Sequence, residues 1–132
     1  MDKMKIMIVD DDFDDIEFIK AALKENSNEA DIMSFSNGIR FIRTFNDLKD
    51  ADLPELIIID YNMPVMKGHE VIEKLKEDRR ADGIRIVVLS TSASPQTMSA
   101  CLDRGAHGYY TKPANFNKLV ELTREFLDKK VA

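Results

Sequence analysis

Three aspartates in a row, Asp10-Asp11-Asp12, directly follow an apolar run, and Asp60 ends another. Ser90 and Lys112 close two further short runs. Carboxylates gathered in one small site repel one another and raise the pKa of at least one member unless a cation is present. Carboxylate and carbonyl oxygens are hard ligands, so Mg²⁺, which keeps several of its waters, is the natural cation. Lys112 is a point charge suited to a phosphoryl oxygen, and Ser90 offers a hydroxyl to another. A carboxylate can attack phosphorus as a nucleophile and give an aspartyl-phosphate. Phosphoryl transfer then asks for an in-line nucleophile and positive charge on the equatorial oxygens.

These groups converge only if the chain places the ends of its strands side by side. The pattern predicts the strands themselves and leaves their order in the sheet open. Residues 4–9 read as a strand, residues 13–25 as an amphipathic helix carrying Ile16, Ile19 and Leu23, and residues 32–35 as a second strand. Asn37-Gly38 turns into a helix carrying Ile39, Ile42 and Phe45. Leu56-Ile57-Ile58-Ile59 is uninterrupted and bounded by Pro54 and Asp60, as suits a central parallel strand. A helix with Val71, Ile72 and Leu75 follows, then a strand over 85–89 and a helix around Met98 and Leu102 with Gly105 as its C-cap. Residues 108–111 form a weak fifth strand, and Phe116, Leu119, Val120, Thr123 and Leu127 line one face of a last helix. Five β-α units in a row predict an α/β fold with a parallel sheet covered by helices on both faces. In such sheets ligands bind beyond the carboxyl ends of the strands.

The chain has 132 residues, 44% of them hydrophobic and 33% charged, which fits one globular domain over residues 1–132 with no output domain attached. A net charge of −5 argues against nonspecific nucleic-acid binding, which needs a positive field. No apolar run approaches a membrane span, and the N-terminal run lacks the length of a signal-peptide core. The single cysteine, Cys101, cannot form an internal disulfide and reads as a buried filler, so a reducing cytoplasm is expected. His69 and His107 have no partner motif and read as surface or half-buried residues. Asp12, Asp14 and Asp15 read as helix-capping and surface residues. Asp10, Asp12 and Asp14 imitate a calcium loop, but Asp15 stands where its glycine belongs and Ala21 where its closing glutamate belongs.

Taken in order, Val9-Asp10-Asp11, Asp60-Tyr61-Asn62-Met63-Pro64-Val65-Met66-Lys67-Gly68, Ser90 and Gly108-Tyr109-Tyr110-Thr111-Lys112-Pro113 resemble the receiver domains of two-component response regulators. The resemblance spans residues 4 to 128. It implies a flavodoxin-like, doubly wound (βα)5 domain with strand order 2-1-3-4-5. It implies Asp60 as phosphoacceptor, and Mg²⁺ held by Asp11, Asp60 and the Asn62 backbone carbonyl, with Asp10 acting through water. Ser90 then fills the switch hydroxyl position, Tyr109 the switch aromatic and Lys112 the phosphate-binding position, with the Lys112-Pro113 bond cis. The implied partners are a sensor histidine kinase and either a downstream target protein or a histidine phosphotransfer protein; a homodimer is compatible with the sequence but not required by it. Two departures stand out. Ser90 replaces the commoner threonine, with Thr91 beside it. Phe13 stands where proline is frequent in the stand-alone receivers paired with bacteriophytochromes, which the acid-rich segment also resembles.

Three other readings compete. A haloacid-dehalogenase-like phosphatase also uses an aspartate nucleophile after a buried strand, but needs a second acid two residues on, where this chain has Asn62. A flavodoxin cradles phosphate on a Ser/Thr/Gly-rich loop after the first strand, where this chain has three aspartates. A pseudo-receiver would use the same fold for protein interaction alone.

Overall fold

The computed structural model describes residues 3–128. Its elements are β1 (Lys5–Val9), α1 (Phe13–Asn26), β2 (Asp31–Phe35), α2 (Gly38–Asp47), β3 (Leu56–Ile59), α3 (Gly68–Leu75), β4 (Arg85–Ser90), α4 (Pro95–Leu102), β5 (Gly108–Thr111) and α5 (Phe116–Asp128). Short 3-10 turns over 50–52 and 79–83 lead into β3 and β4. Each of the five expected β-α units is present. The sheet is parallel throughout, in the order β2-β1-β3-β4-β5.

Side chains alternate across a strand, so each central strand feeds two cores. Met7, Val9, Ile57, Ile59, Ile86 and Val88 pack against α2, α3 and α4, whereas Ile6, Ile8, Leu56, Ile58, Val87 and Leu89 pack against α1 and α5. All four residues of β3 are buried, as its unbroken apolar run requires. On the second face Phe18 meets Phe116 at 5.3 Å between ring centroids. There Asn26 of α1 donates to the Val120 carbonyl and the Thr123 hydroxyl of α5. Buried Thr123 is thereby satisfied. Arg80 performs the same service opposite: its guanidinium binds Asp78, Asp50 and the Leu48 carbonyl while lying over the Phe45 ring.

Two helices turn differently from expectation. In α2 the buried residues are Gly38, Phe41 and Phe45, while Ile39 is 46% exposed and Ile42 half-buried. The reason is close approach. A Cβ on Gly38 would lie 2.7 Å from Val71 Cγ2 of α3, so the helix meets its neighbour through the glycine. That rotation carries Phe41 and Phe45 inward, where Phe41 packs edge-on to Phe35. In α4 the buried residue is Cys101, and Leu102 is exposed. Ser94 caps this helix by accepting from the Thr97 N–H, with Pro95 in the first turn.

The β3-α3 loop holds the one non-glycine residue of positive φ among those described, Val65 at +73°. A β-branched side chain there costs about 1–2 kcal/mol relative to an ordinary conformation. No helix among the described residues is long and apolar enough to cross a membrane.

If α2 is oriented as described, Phe41→Ala will destabilise the domain by about 3–5 kcal/mol, and Ile39→Ala by less than about 1 kcal/mol. Urea unfolding of the two variants measures both; equal losses would mean the helix faces the other way.

Candidate functional site

The carboxyl ends of β1, β3, β4 and β5 meet at one edge of the sheet. The register sets Val9 opposite Ile59, Ile59 opposite Val88 and Ser90 opposite Thr111. The residues that follow therefore share one rim. The Asp60 N–H donates to the Val9 carbonyl at 2.8 Å, and the Lys112 N–H to the Ser90 carbonyl at 2.8 Å.

Asp10 and Asp60 are buried, at 1% and 6% exposure, while Asp11 is exposed above them. Carboxylate oxygens from all three lie within 4.8 Å of one another. Lys112 Nζ reaches Asp10 Oδ2 at 2.7 Å and Asp60 Oδ1 at 3.6 Å. Burial pushes the Asp60 carboxyl up to about 6, aided by the charges of Asp10 and Asp11 and opposed by Lys112. Burial likewise raises Asp10, against the hydrogen bonds from Lys112 and from the Asp12 N–H. Burial alone would lower Lys112, but the Asp10 and Asp15 carboxylates hold it well above its usual value.

Asp15 is a correction to the sequence reading. It was expected only to cap and to face solvent, yet its Oδ2 accepts from Lys112 Nζ at 2.7 Å. Its position in the first turn of α1 aims the side chain back past the helix start, toward the site. Asp12 does cap α1, accepting from the Asp15 N–H, and Asp14 is exposed. A second correction concerns Lys112-Pro113. No peptide bond among the described residues is cis, so this one is trans. Trans is the lower-energy isomer even before proline, and the lysine reaches both acids from it.

Ser90 is fully buried at the end of β4. Two residues on, Ser92 gathers the remaining polar groups. Asn62 Nδ2 donates to Ser92 Oγ at 2.7 Å, and the Tyr109 hydroxyl donates to the Ser92 carbonyl at 2.7 Å. Tyr109 is half-buried, its ring 6.3 Å from that of Tyr61, whose hydroxyl lies 3.0 Å from His69 Nδ1. His107 accepts the Ile86 N–H at Nδ1, and Cys101 is buried with its thiol pushed up to about 11 by that burial. Neither joins the site. Gly68 closes the loop after β3: its N–H donates to the Tyr61 carbonyl, and a Cβ there would lie 2.9 Å from Tyr61 Cα. Only glycine fits that approach.

The donor set suits a hard divalent cation. Three carboxylates, two of them buried, face one ammonium that binds Asp10 more closely than Asp60. The Asn62 carbonyl oxygen accepts no hydrogen bond among the described residues and is free to serve as a neutral ligand.

Residues 6–124 match the family model described as the response regulator receiver domain. The chain is 30% identical to the two-component response regulator ARR8 of Arabidopsis thaliana over 92% of its own length and 59% of the relative's. It thus spans little more than half of that relative. It is 25% identical to the response regulator Rcp1 of Synechocystis, over 90% of this chain and 83% of Rcp1. Among solved structures it is similar to the phosphorylated cyanobacterial phytochrome response regulator RcpA, with a TM-score of 0.86, 27% identity and 98% of each chain covered.

The raised Asp60 carboxyl works against folding. It binds its proton more tightly in the folded chain than in the unfolded one, so stability falls as pH rises from about 4 to about 6. In metal-free protein near pH 8, Asp60→Asn will therefore be more stable than the parent chain by on the order of 2 kcal/mol, with the gap closing toward about pH 4. Urea unfolding across that range tests it; a variant no more stable near pH 8 would contradict the burial assigned to Asp60.

Proposed function

This chain belongs to the response regulator receiver domain family, a family of signalling domains, and from that premise we propose that it accepts a phosphoryl group onto Asp60 from the phosphohistidine of a sensor histidine kinase. The observation that carries this reading is the convergence of Asp10, Asp11 and Asp60 within 4.8 Å, with Lys112 Nζ 3.6 Å from Asp60. At neutral pH the Asp60 carboxylate, titrating near 6, is largely ionised and able to attack. An O–P bond forms at Asp60 as the N–P bond of the donor breaks, and the departing imidazole nitrogen keeps the electron pair and takes up a proton.

Asp11, Asp60 and the Asn62 carbonyl would hold Mg²⁺, with Asp10 engaging it through water. When bound, the ion supplies positive charge to the carboxylates and to the incoming phosphoryl oxygens. Lys112 contributes a second positive charge from β5's end, and Asp10 and Asp15 keep its ammonium protonated and aimed into the site. Ser90 would donate its hydroxyl to a phosphoryl oxygen. Its inward movement would draw on the β4-α4 loop, and Tyr109, bonded to the Ser92 carbonyl in that loop, would follow. The surface of α4, β5 and α5 then changes shape for a target protein, or the phosphoryl group passes on to a histidine phosphotransfer protein. In this reading residues 1–132 work as one receiver unit.

Turnover of outside phosphate esters has no support in these groups. The residue two beyond Asp60 is Asn62, a carboxamide that donates to Ser92 and cannot protonate a leaving group.

Incubation with a small phosphodonor and Mg²⁺ is expected to put one phosphoryl group on the chain, read by intact mass. Asp60→Asn should reduce uptake by at least about a hundredfold, Lys112→Gln should slow it by a similar order, and chelation of divalent ions should stop it. Undiminished labelling of Asp60→Asn would refute the assignment; no labelling of the parent chain would leave an interaction module that does not use phosphorylation.

A further inference from the structure

The rotation that buries Phe41 and Phe45 leaves a second apolar row on the outside of α2. Ile39 lies exposed on it and Ile42, half-buried and partly packed against the core, lies at its edge, with Arg43 one turn after Ile39 and Asn46 at the next turn. Across from this row stands the β3-α3 loop, where Val65 is 82% exposed and Met66 half-buried. The space between is concave. Two adjoining grooves, of about 510 and 380 Å³, share Ile39, Arg43 and Met66 as lining.

The charge of this groove is the reverse of the molecule's. The chain carries 24 acidic residues against 19 lysines and arginines, yet no aspartate or glutamate lines either groove. Arg40 lines one groove, Lys74 the other, and Arg43 both. Among the described residues neither guanidinium has an ion-pair partner, although carboxylates are plentiful elsewhere on the surface. Val65 adds an independent sign. It holds a β-branched side chain at a φ of +73° and presents it to solvent, so the domain gains no core packing from a conformation that disfavours it.

We propose that the groove between α2 and the β3-α3 loop docks an acidic amphipathic helix of a partner protein. Apolar anchors of that helix at i, i+3 and i+4 would cover Ile39, Ile42, Val65 and Met66, and its flanking carboxylates would pair with Arg40, Arg43 and Lys74. Arg40 and Arg43, unpaired, select an acidic occupant, while Lys74 is already paired with Glu77 at 3.5 Å and would have to exchange that partner; the concave shape selects a chain segment over a flat bilayer. The site lies apart from the α4-β5-α5 surface and depends on neither metal nor phosphorylation. Its loop does continue directly from Asp60, so occupancy and the phosphoryl site share a backbone segment.

The test uses two synthetic peptides of about 15 residues, with leucines at i, i+3, i+4 and i+7 and either glutamate or lysine at the other positions. Each is titrated into isotope-labelled protein by NMR. The glutamate peptide is expected to shift resonances at residues 39–46 and 64–66, and the lysine peptide to leave them in place. The double variant Arg40→Glu/Arg43→Glu should weaken the glutamate peptide by about tenfold or more while keeping the parent's circular dichroism. Equal binding of both peptides, shifts on another face, or no binding at millimolar peptide would overturn the proposal. So would binding to anionic vesicles in place of the peptide, or concentration-dependent self-association that buries the same residues.

Discussion

Two carboxylates buried beside each other, with a third above them, are the constraint around which this molecule is organised. Asp10 and Asp60 sit at the ends of adjacent strands where almost no water reaches them. Desolvation and mutual repulsion both work against their ionised forms, and Lys112 offsets only part of that cost. Its ammonium is nearer Asp10 than Asp60, which leaves Asp60 with the weaker compensation and its carboxyl pushed up to about 6. A structure built for stability alone would replace such a cluster with apolar side chains. Its retention is a statement about chemistry: a site short of positive charge favours binding a cation and, with it, a group whose oxygens need the same charge.

The rest of the fold keeps that imbalance in place. The sheet alternates its side chains between two cores, so both faces of β1, β3 and β4 are held by helices and the strands cannot slide without inverting every apolar contact. Registers of Val9 with Ile59 and of Ser90 with Thr111 then bring four loop origins to one rim. Gly68, pressed against the Tyr61 backbone, folds the loop after Asp60 back on itself and hands the chain to α3. Rigid strands position the charges, and loops carry the groups that would have to move.

Much of this was legible before any coordinates. The uninterrupted Leu56-Ile57-Ile58-Ile59 run, bounded by Pro54 and Asp60, read as a central buried strand, and an aspartate directly after it demands a reason. The five β-α units followed from periodicity, whereas the sheet order, and with it the placing of Asp10, Asp11, Asp60, Ser90 and Lys112 on one edge, came from the resemblance to receiver domains. What escaped shares a cause: it depends on contacts between distant parts of the chain. Asp15 looked like an ordinary first-turn acid because its partner Lys112 lies 97 residues away. In α2, of the expected Ile39, Ile42 and Phe45 only Phe45 is fully buried, and Gly38 and Phe41 take the other inward places because Gly38 approaches α3 so closely. The backbone of Val65 had no signal at all, since its residue type points away from positive φ.

Ser92 is the joint at which the static site and the proposed motion meet. Its hydroxyl oxygen takes the Asn62 amide and its carbonyl takes the Tyr109 hydroxyl, so one residue ties the loop after β3 to the aromatic ring on β5. It also stands two residues from buried Ser90, whose hydroxyl its N–H approaches at 3.5 Å. In the proposed reading, a phosphoryl group on Asp60 that pulls Ser90 inward would strain the two bonds that Ser92 makes. A hydrogen bond weakens steeply with distance and angle, so the arrangement has few intermediate states to offer. Tyr109 must either keep the carbonyl and travel with the loop or release it and find another place for its ring. Either outcome would turn a small displacement at the strand end into a discrete change at the surface of β5, as the proposed phosphorylation signal requires.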